Sequence, residues 1–147
     1  MTMKLKAIIG ALALTLGMTA CSQENVSHDA TNLPAKAQDL ISRNFTSAIS
    51  LVKEEKNFGK VDEYEVTLTD GSEISFNGSG ELKSVDTPNN RPVPTGLVPT
   101  AIAKYVAEKH AGAFIVGLET EKKGYEIQLS NGVEMKFDKA GNFMKYD

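Results

Sequence analysis

Few side chains in the sequence could do chemistry beyond packing. His28 and His110 are the two histidines, and Cys21 is the one cysteine. A general base, a zinc site or an activated nucleophile needs such groups clustered with carboxylates, and no His/Cys/carboxylate spacing here provides that. His28 lies in a polar stretch. His110 closes a helical stripe, where a C-terminal partial negative charge favours a cation, so its role is read as structural. Asn77-Gly78-Ser79-Gly80-Glu81 and Asp138-Lys139-Ala140-Gly141 resemble calcium loops superficially. They lack the alternating carboxylates of an EF-hand and read better as hairpin turns. Glu65 and Glu126, with Glu73 and Glu134, recur in matching contexts and could be taken for acid/base pairs. Glutamates solvating a sheet face are the commoner arrangement. No nucleophile elbow or phosphate loop is present, and the expectation is a non-enzyme with no catalytic residue, metal or cofactor.

The elements that would position these groups occur twice. Tyr64-Glu65-Val66-Thr67-Leu68-Thr69-Asp70-Gly71 aligns without gaps with Tyr125-Glu126-Ile127-Gln128-Leu129-Ser130-Asn131-Gly132. The alignment continues through Phe76/Phe137, Gly80/Gly141 and Asp86/Asp147, with eight identities in 23 positions. Upstream, Leu33-Pro34 and Val98-Pro99 each precede a stripe at helical spacing: Leu33, Ala37, Leu40, Ile41, Phe45 and Val98, Ile102, Tyr105, Val106, His110. Proline is tolerated in a first helical turn because its missing N–H has no partner there. Short apolar strands are predicted at 48–52 and 113–118. The fold class is therefore α+β: two tandem α-β-β-β-β repeats, at 32–86 and 97–147 with a linker at 87–96, forming one antiparallel sheet with both helices on one face.

Parity fixes the expected register. A two-residue turn at Asp70-Gly71 would set Leu68 opposite Glu73, mixing faces. A three-residue loop with Gly71 left-handed pairs Val66 with Ile74 and Tyr64 with Phe76, and equally Ile127 with Met135 and Tyr125 with Phe137. The next hairpin places Gly80 and Gly141 in the third loop position. The opposite, open face should then carry Glu65, Thr67, Glu73, Glu126, Gln128, Glu134 and Lys136, with Glu126 across from Lys136. The same parity predicts Val85, Met144 and Tyr146 on that face, and these ten residues are the candidate partner-binding surface.

The N-terminus reads as an export signal: Lys4 and Lys6, then an apolar run from Ala7 to Ala20, too short to span a bilayer. Cys21 directly follows, an arrangement that resembles a bacterial lipoprotein signal, with Met18 where leucine is usual at the third position before the cysteine. Lipidation of Cys21 is expected, with residues 21–31 as a polar tether. Cleavage after Ala20 removes Lys4 and Lys6 and no acid, leaving 14 basic and 19 acidic residues, net −5. There is no basic stripe, so nucleic-acid binding is not expected. Membrane attachment is expected only through the N-terminal anchor.

The motifs Leu-Pro-x-x-Ala-Gln-x-x-Ile (33–41), Tyr-Glu-Val-x-Leu-x-Asp-Gly (64–71), Val-Pro-x-x-Ile (98–102) and Gly-Tyr-Glu-Ile-x-Leu-x-Asn-Gly-x-Glu-x-Lys-Phe-Asp (124–138) resemble the PepSY-like, β-lactamase-inhibitor-like family of secreted or lipid-anchored bacterial proteins. The resemblance covers nearly all of the chain after the signal. It implies a tandem-repeat fold similar to the secreted β-lactamase inhibitor protein, with a concave sheet. It does not imply β-lactamase inhibition, because no motif carries that inhibitor's gripping residues and its disulfide cysteines are missing. Fold transfers more safely than function. The expected role is a non-enzymatic exported binding module, periplasmic or anchored in the outer membrane of a Gram-negative bacterium, docking an envelope protein or peptide. Inhibition of an envelope hydrolase or peptidase, or service as a small-ligand or ion sensor accessory, are the alternatives.

Overall fold

Alternating apolar and polar residues underlie most of the nine strands in the computed structural model, which describes residues 22–147. The export signal and Cys21 lie outside the described residues. Along the chain come β1 (Ser22–Ser27), α1 (Ala35–Asn44), β2 (Ile49–Asn57), β3 (Lys60–Leu68), β4 (Glu73–Asn77) and β5 (Leu82–Asp86), then α2 (Thr100–Lys109), β6 (Ile115–Glu121), β7 (Gly124–Leu129), β8 (Glu134–Asp138) and β9 (Phe143–Tyr146). All nine strands form one open antiparallel sheet in chain order. It is an α+β architecture in which each neighbour in sequence is a neighbour in space, so most pairing is local.

The meander registers of the two halves coincide at an offset of 61. Tyr64 lies opposite Phe76 and Val66 opposite Ile74, just as Tyr125 lies opposite Phe137 and Ile127 opposite Met135. The three-residue loop is present: Leu68 N–H donates to Ser72 O at 2.8 Å, and Gly71 has φ +90°. A Cβ at that φ would be strained, which is why glycine stands there. Asp70 Oδ1 accepts from Ser72 N–H at 2.8 Å and locks the turn.

Each helix starts after its proline, which takes the N-cap position and not the first turn. Pro34 O accepts from Ala37 and Gln38 N–H, and Pro99 O from Ile102 and Ala103 N–H. Each ends where the stripe ends, with Phe45 and His110 as C-caps. Ala37 and Ile41 of α1 and Ile102 and Val106 of α2 join one core cluster with the sheet residues Tyr64, Val66, Phe76, Leu118, Ile127 and Phe137. Phe76 and Phe137 are 0 % and 1 % exposed, and each such burial stabilises by roughly 2–3 kcal/mol.

Three expectations need correction. The polar stretch expected as a free tether forms β1, paired along its whole length with Val52–Asn57 of β2. The unpaired N–H and C=O groups of an edge strand accept any extended segment, so a polar sequence without apolar periodicity still pairs. β2 itself runs to Asn57, five residues beyond its expected end, paired there with β3 as well as β1. Val85, expected on the open face, is fully buried opposite Ile74. Tyr146, expected there too, lies opposite the buried Met135. Both shifts have one cause. Leu82 pairs with Phe76 as expected, but Ser84 then pairs with Ser75, leaving Lys83 as an extra residue in a bulge. Met144 is the equivalent extra residue between Phe143 and Lys145. One inserted residue flips the parity of all that follow.

Candidate functional site

Two rows of side chains cross the open face. The first runs through the register partners Lys53, Glu65, Ser75, Ser84, Glu119, Glu126, Lys136 and Lys145. The second runs through Leu51, Thr67, Glu73, Asp86, Gly117, Gln128 and Glu134. Of the candidate residues, Glu65, Thr67, Glu73, Glu126, Gln128, Glu134 and Lys136 are thus brought together. Val85 and Tyr146 are not, and Met144 sits 60 % exposed in the β9 bulge. Tyr146 instead packs edge-on against His110 with ring centroids 5.8 Å apart, its hydroxyl 3.2 Å from His110 Nε2. His110 thus joins the end of α2 to the last strand.

Cations guard the two ends of the first row. Lys53 Nζ reaches Glu65 at 3.3 Å, Glu24 at 3.4 Å and Glu55 at 3.4 Å. Lys136 Nζ lies 3.7 Å from each of Glu121, Glu126 and Asp147. Between them the face holds Glu73, Asp86 and Glu119, for which no cation lies within ion-pair distance among the described residues. Ser75 and Ser84 bridge the centre hydroxyl to hydroxyl at 2.7 Å.

The carboxyls respond to this imbalance. Burial, with Glu73 and Glu119 beside it, pushes Asp86 up to about 6. Burial and a hydrogen bond with Glu121 raise Glu126 to about 7, outweighing Lys136. Burial and the charge of Glu65 raise Glu73. Burial also raises Glu65, against the pull of Lys53. A desolvated carboxylate without a cation resists ionisation. A cation arriving over this row would relieve that cost.

Gly117 clears the middle of the second row. A Cβ there would lie 3.2 Å from Asp86 Oδ1 and 3.2 Å from the Gln128 side chain, so the Asp86 carboxylate lies over glycine backbone. Beside it, a depression of about 250 Å³ is lined by Val26, Leu51, Thr67, Glu65 and Glu73 among others. Its walls combine aliphatic groups with Lys53, which is paired with Glu24 and Glu65. Glu73 is the acid there without a cation at ion-pair distance among the described residues, which suits one further cationic side chain with an apolar stem. A polar cleft of about 260 Å³ opens elsewhere, between the end of α1, the β3–β4 turn and the linker, where Arg91 pairs with Asp70 at 3.3 Å. Among the described residues no group of three or more His, Cys, Asp or Glu is disposed to hold a metal ion.

Sequence reasoning missed Asp86, Glu119, Leu51 and Lys53. The identity of Asp86 with Asp147 marked the position, but the bulge at Lys83 decides which face it takes. Lys53 and Glu119 became visible only once β2 and β6 were known to run past their apolar segments, and Leu51 takes this face because of the register shift between Ile49 and Leu51.

The family model described as "Putative beta-lactamase-inhibitor-like, PepSY-like" matches residues 62–145. A solved "putative periplasmic protein of unknown function" from Bacteroides vulgatus is 36% identical, with a TM-score of 0.79 over 85% of this chain and 99% of its own. A "putative calcium-regulated periplasmic protein" from Bacteroides thetaiotaomicron is 34% identical, with a TM-score of 0.77 over 84% of this chain and 96% of its own. A further Bacteroides vulgatus protein, also described as periplasmic, is 32% identical at a TM-score of 0.76, over 85% and 97% of the two chains. No curated protein sequence matches the chain.

Proposed function

The chain belongs to the PepSY-like, β-lactamase-inhibitor-like family, and on that premise we propose that it is an exported, non-enzymatic binding module whose open sheet face docks a cationic segment of an envelope protein or peptide. Solved relatives described as periplasmic support export, and lipidation at Cys21 would hold the module at the envelope membrane. In this reading the two α-β-β-β-β units arose by duplication, with both helices covering one sheet face and leaving the other to the partner.

One observation carries the reading: Glu73 and Asp86 stand partly desolvated, with Glu119 exposed beside them, on an open face whose lysines are engaged at its two ends. Such a face favours a cation with an aliphatic stem, and the depression beside Leu51 accommodates the stem. Affinity should rise with pH between about 5 and 8, as Asp86 and Glu126 ionise, and binding near pH 6 should release protons.

Calorimetric titration of the full chain with a decapeptide of alternating lysine and valine tests this. Binding should weaken at least several-fold in the double variant Glu73→Gln/Asp86→Asn and with added salt. Heat that is the same for the wild-type chain and the double variant would exclude the face.

A second reading is favoured by the relative described as calcium-regulated. The same carboxylates would then serve a divalent cation, with ligands drawn together on binding. Thermal shift of the full chain with calcium, with and without Asp86→Asn, separates it from the peptide reading.

A further inference from the structure

A second surface lies at one end of the sheet, at the tip of the β2–β3 hairpin. Asn57 pairs with Lys60, leaving Phe58 and Gly59 as a two-residue turn with φ +50° and +78°. Both central residues of such a turn need positive φ, which is why asparagine and glycine predominate there. Phe58 is the one non-glycine residue with positive φ among the described residues, and it is 84 % exposed. A bulky aromatic side chain is thus held where its own backbone and the surrounding water both disfavour it. An observed outlier of this kind points to a function for the side chain.

The location of the tip says what it meets. Ser22, the first described residue, pairs with Asn57. Ser22, the residue bonded to Cys21, therefore enters the sheet beside the Phe58 turn. In a meander, alternate turns share an end, so the β4–β5, β6–β7 and β8–β9 tips lie at this end too.

The charge there is distinctive. Lys60, Lys122, Lys123 and Lys139 all stand on these tips, and none has an ion-pair partner within 4 Å among the described residues. Most other described lysines are paired, Lys53, Lys83 and Lys136 among them. The acids at this end are largely engaged: Glu81 with Lys36, Glu121 with Lys136, and Asp138 in capping its own turn. Asp62 is the exposed exception. An acidic protein thus presents at this end four lysines outside any ion pair, beside a protruding aromatic.

We propose that the β2–β3 tip is an interfacial membrane contact, in which Phe58 enters the headgroup layer of an anionic phospholipid bilayer and Lys60 with the neighbouring tip lysines meets its phosphates. Aromatic rings settle at that depth, and lysines near the surface are drawn to anionic lipid. A contact beside the lipid anchor expected at Cys21 would set how the sheet stands on the bilayer. The sheet face would then stand away from the bilayer, open to a partner. The proposal is independent of the sheet-face reading and shares with it export and the lipid anchor expected at Cys21.

The sequence contains no tryptophan, so Phe58→Trp in the full chain creates a single-site fluorophore. The probe is vesicles of phosphatidylethanolamine and phosphatidylglycerol carrying bromine near the top of the acyl chains. The emission of Phe58→Trp should shift to the blue and lose about half its intensity to the bromines, as an interfacially seated ring would. A Tyr146→Trp control at the far end of β9 should do neither. Adding Lys60→Glu and Lys123→Glu should restore most of the emission on anionic vesicles. A chain that does not float with the vesicles overturns the proposal. So does one that floats with position 58 unquenched. A photo-crosslinker at position 58 that captures protein and no lipid in the native envelope would overturn it in favour of a protein contact.

Discussion

The two halves of the sheet share a ladder but not a boundary, and their differences follow from what lies next to each. Val85 and Tyr146 occupy matching places, opposite Ile74 and Met135 respectively. Val85 is fully buried because β6 pairs with β5, whereas Tyr146 is 54 % exposed because β9 ends the sheet. Asp86 and Asp147 match as well. Asp86 is desolvated among carboxylates, while Asp147 sits 3.5 Å from Lys145 and 3.7 Å from Lys136. Residues shared by the halves build turns and core; residues whose surroundings differ carry the surfaces. The hairpin tips repeat the lesson, with Phe58 on the longer β2–β3 tip and Lys122-Lys123 on the shorter β6–β7 tip.

The strongest test of equivalence is the core. Phe76→Ala and Phe137→Ala should each cost about 3–5 kcal/mol by urea denaturation. Phe137 should lie at the upper end, because Tyr105 meets it edge-on at 5.4 Å and Phe143 at 5.9 Å, contacts worth about 0.5–1.5 kcal/mol beyond area. A much smaller cost on one side would mean that only the other half holds the core.

Breaking the symmetry comes next. Val85→Ala should cost about 2 kcal/mol, and Tyr146→Ala less despite its larger side chain, because half of that side chain is already in water. Equal costs measured by thermal denaturation would show that β9 is better covered than its edge position allows.

A gain of stability should follow from Asp86→Asn. Asp86 is raised from 3.8 to about 6, so the folded state holds its proton more tightly than the unfolded one. Ionisation then costs stability progressively as pH rises from about 4 to 6, and the cost is complete above that. The amide removes it, so the variant should be more stable by about 1 kcal/mol at pH 7.5, allowing for solvent screening of a partly exposed group. The gain should vanish near pH 3.5. Asp147→Asn should give no such gain, since it removes a paired acid.

The smallest effect is expected at the tip. Phe58→Asn relieves the positive-φ strain and should raise stability by about 0.5–1 kcal/mol, read as a rise in Tm. No change would mean that the ring gains packing in the folded state that offsets the strain.

Much of this architecture was legible in the residues. Period-two alternation set the faces of β3, β4, β7 and β8. Gly71, Gly80, Gly132 and Gly141 marked the three-residue loops, and the prolines marked the helix starts. From these alone Glu65, Thr67, Glu73, Glu126, Gln128, Glu134 and Lys136 could be assigned to one face. Each is a local inference, because turn geometry and strand parity act over a few residues.

The strands after a bulge could not be assigned in this way. Lys83 and Met144 are unremarkable residues, and whether one is skipped in pairing depends on how twisted neighbouring strands fit together. That choice turned Val85 and Tyr146 away from the open face and aimed Asp86 into it. Pairing of residues 22–27 depended equally on the bare edge of β2, which no local pattern reveals. The raised carboxyls of Asp86 and Glu126 needed a third level, the desolvation and mutual repulsion of groups distant in sequence. For this protein the sequence by itself determined turns, helix starts and register, because steric and parity rules operate over short spans. Only the tertiary structure decided which strands have covered edges, which face the last residues of each half take, and where the charge goes unanswered. Those depend on neighbours brought from elsewhere in the chain.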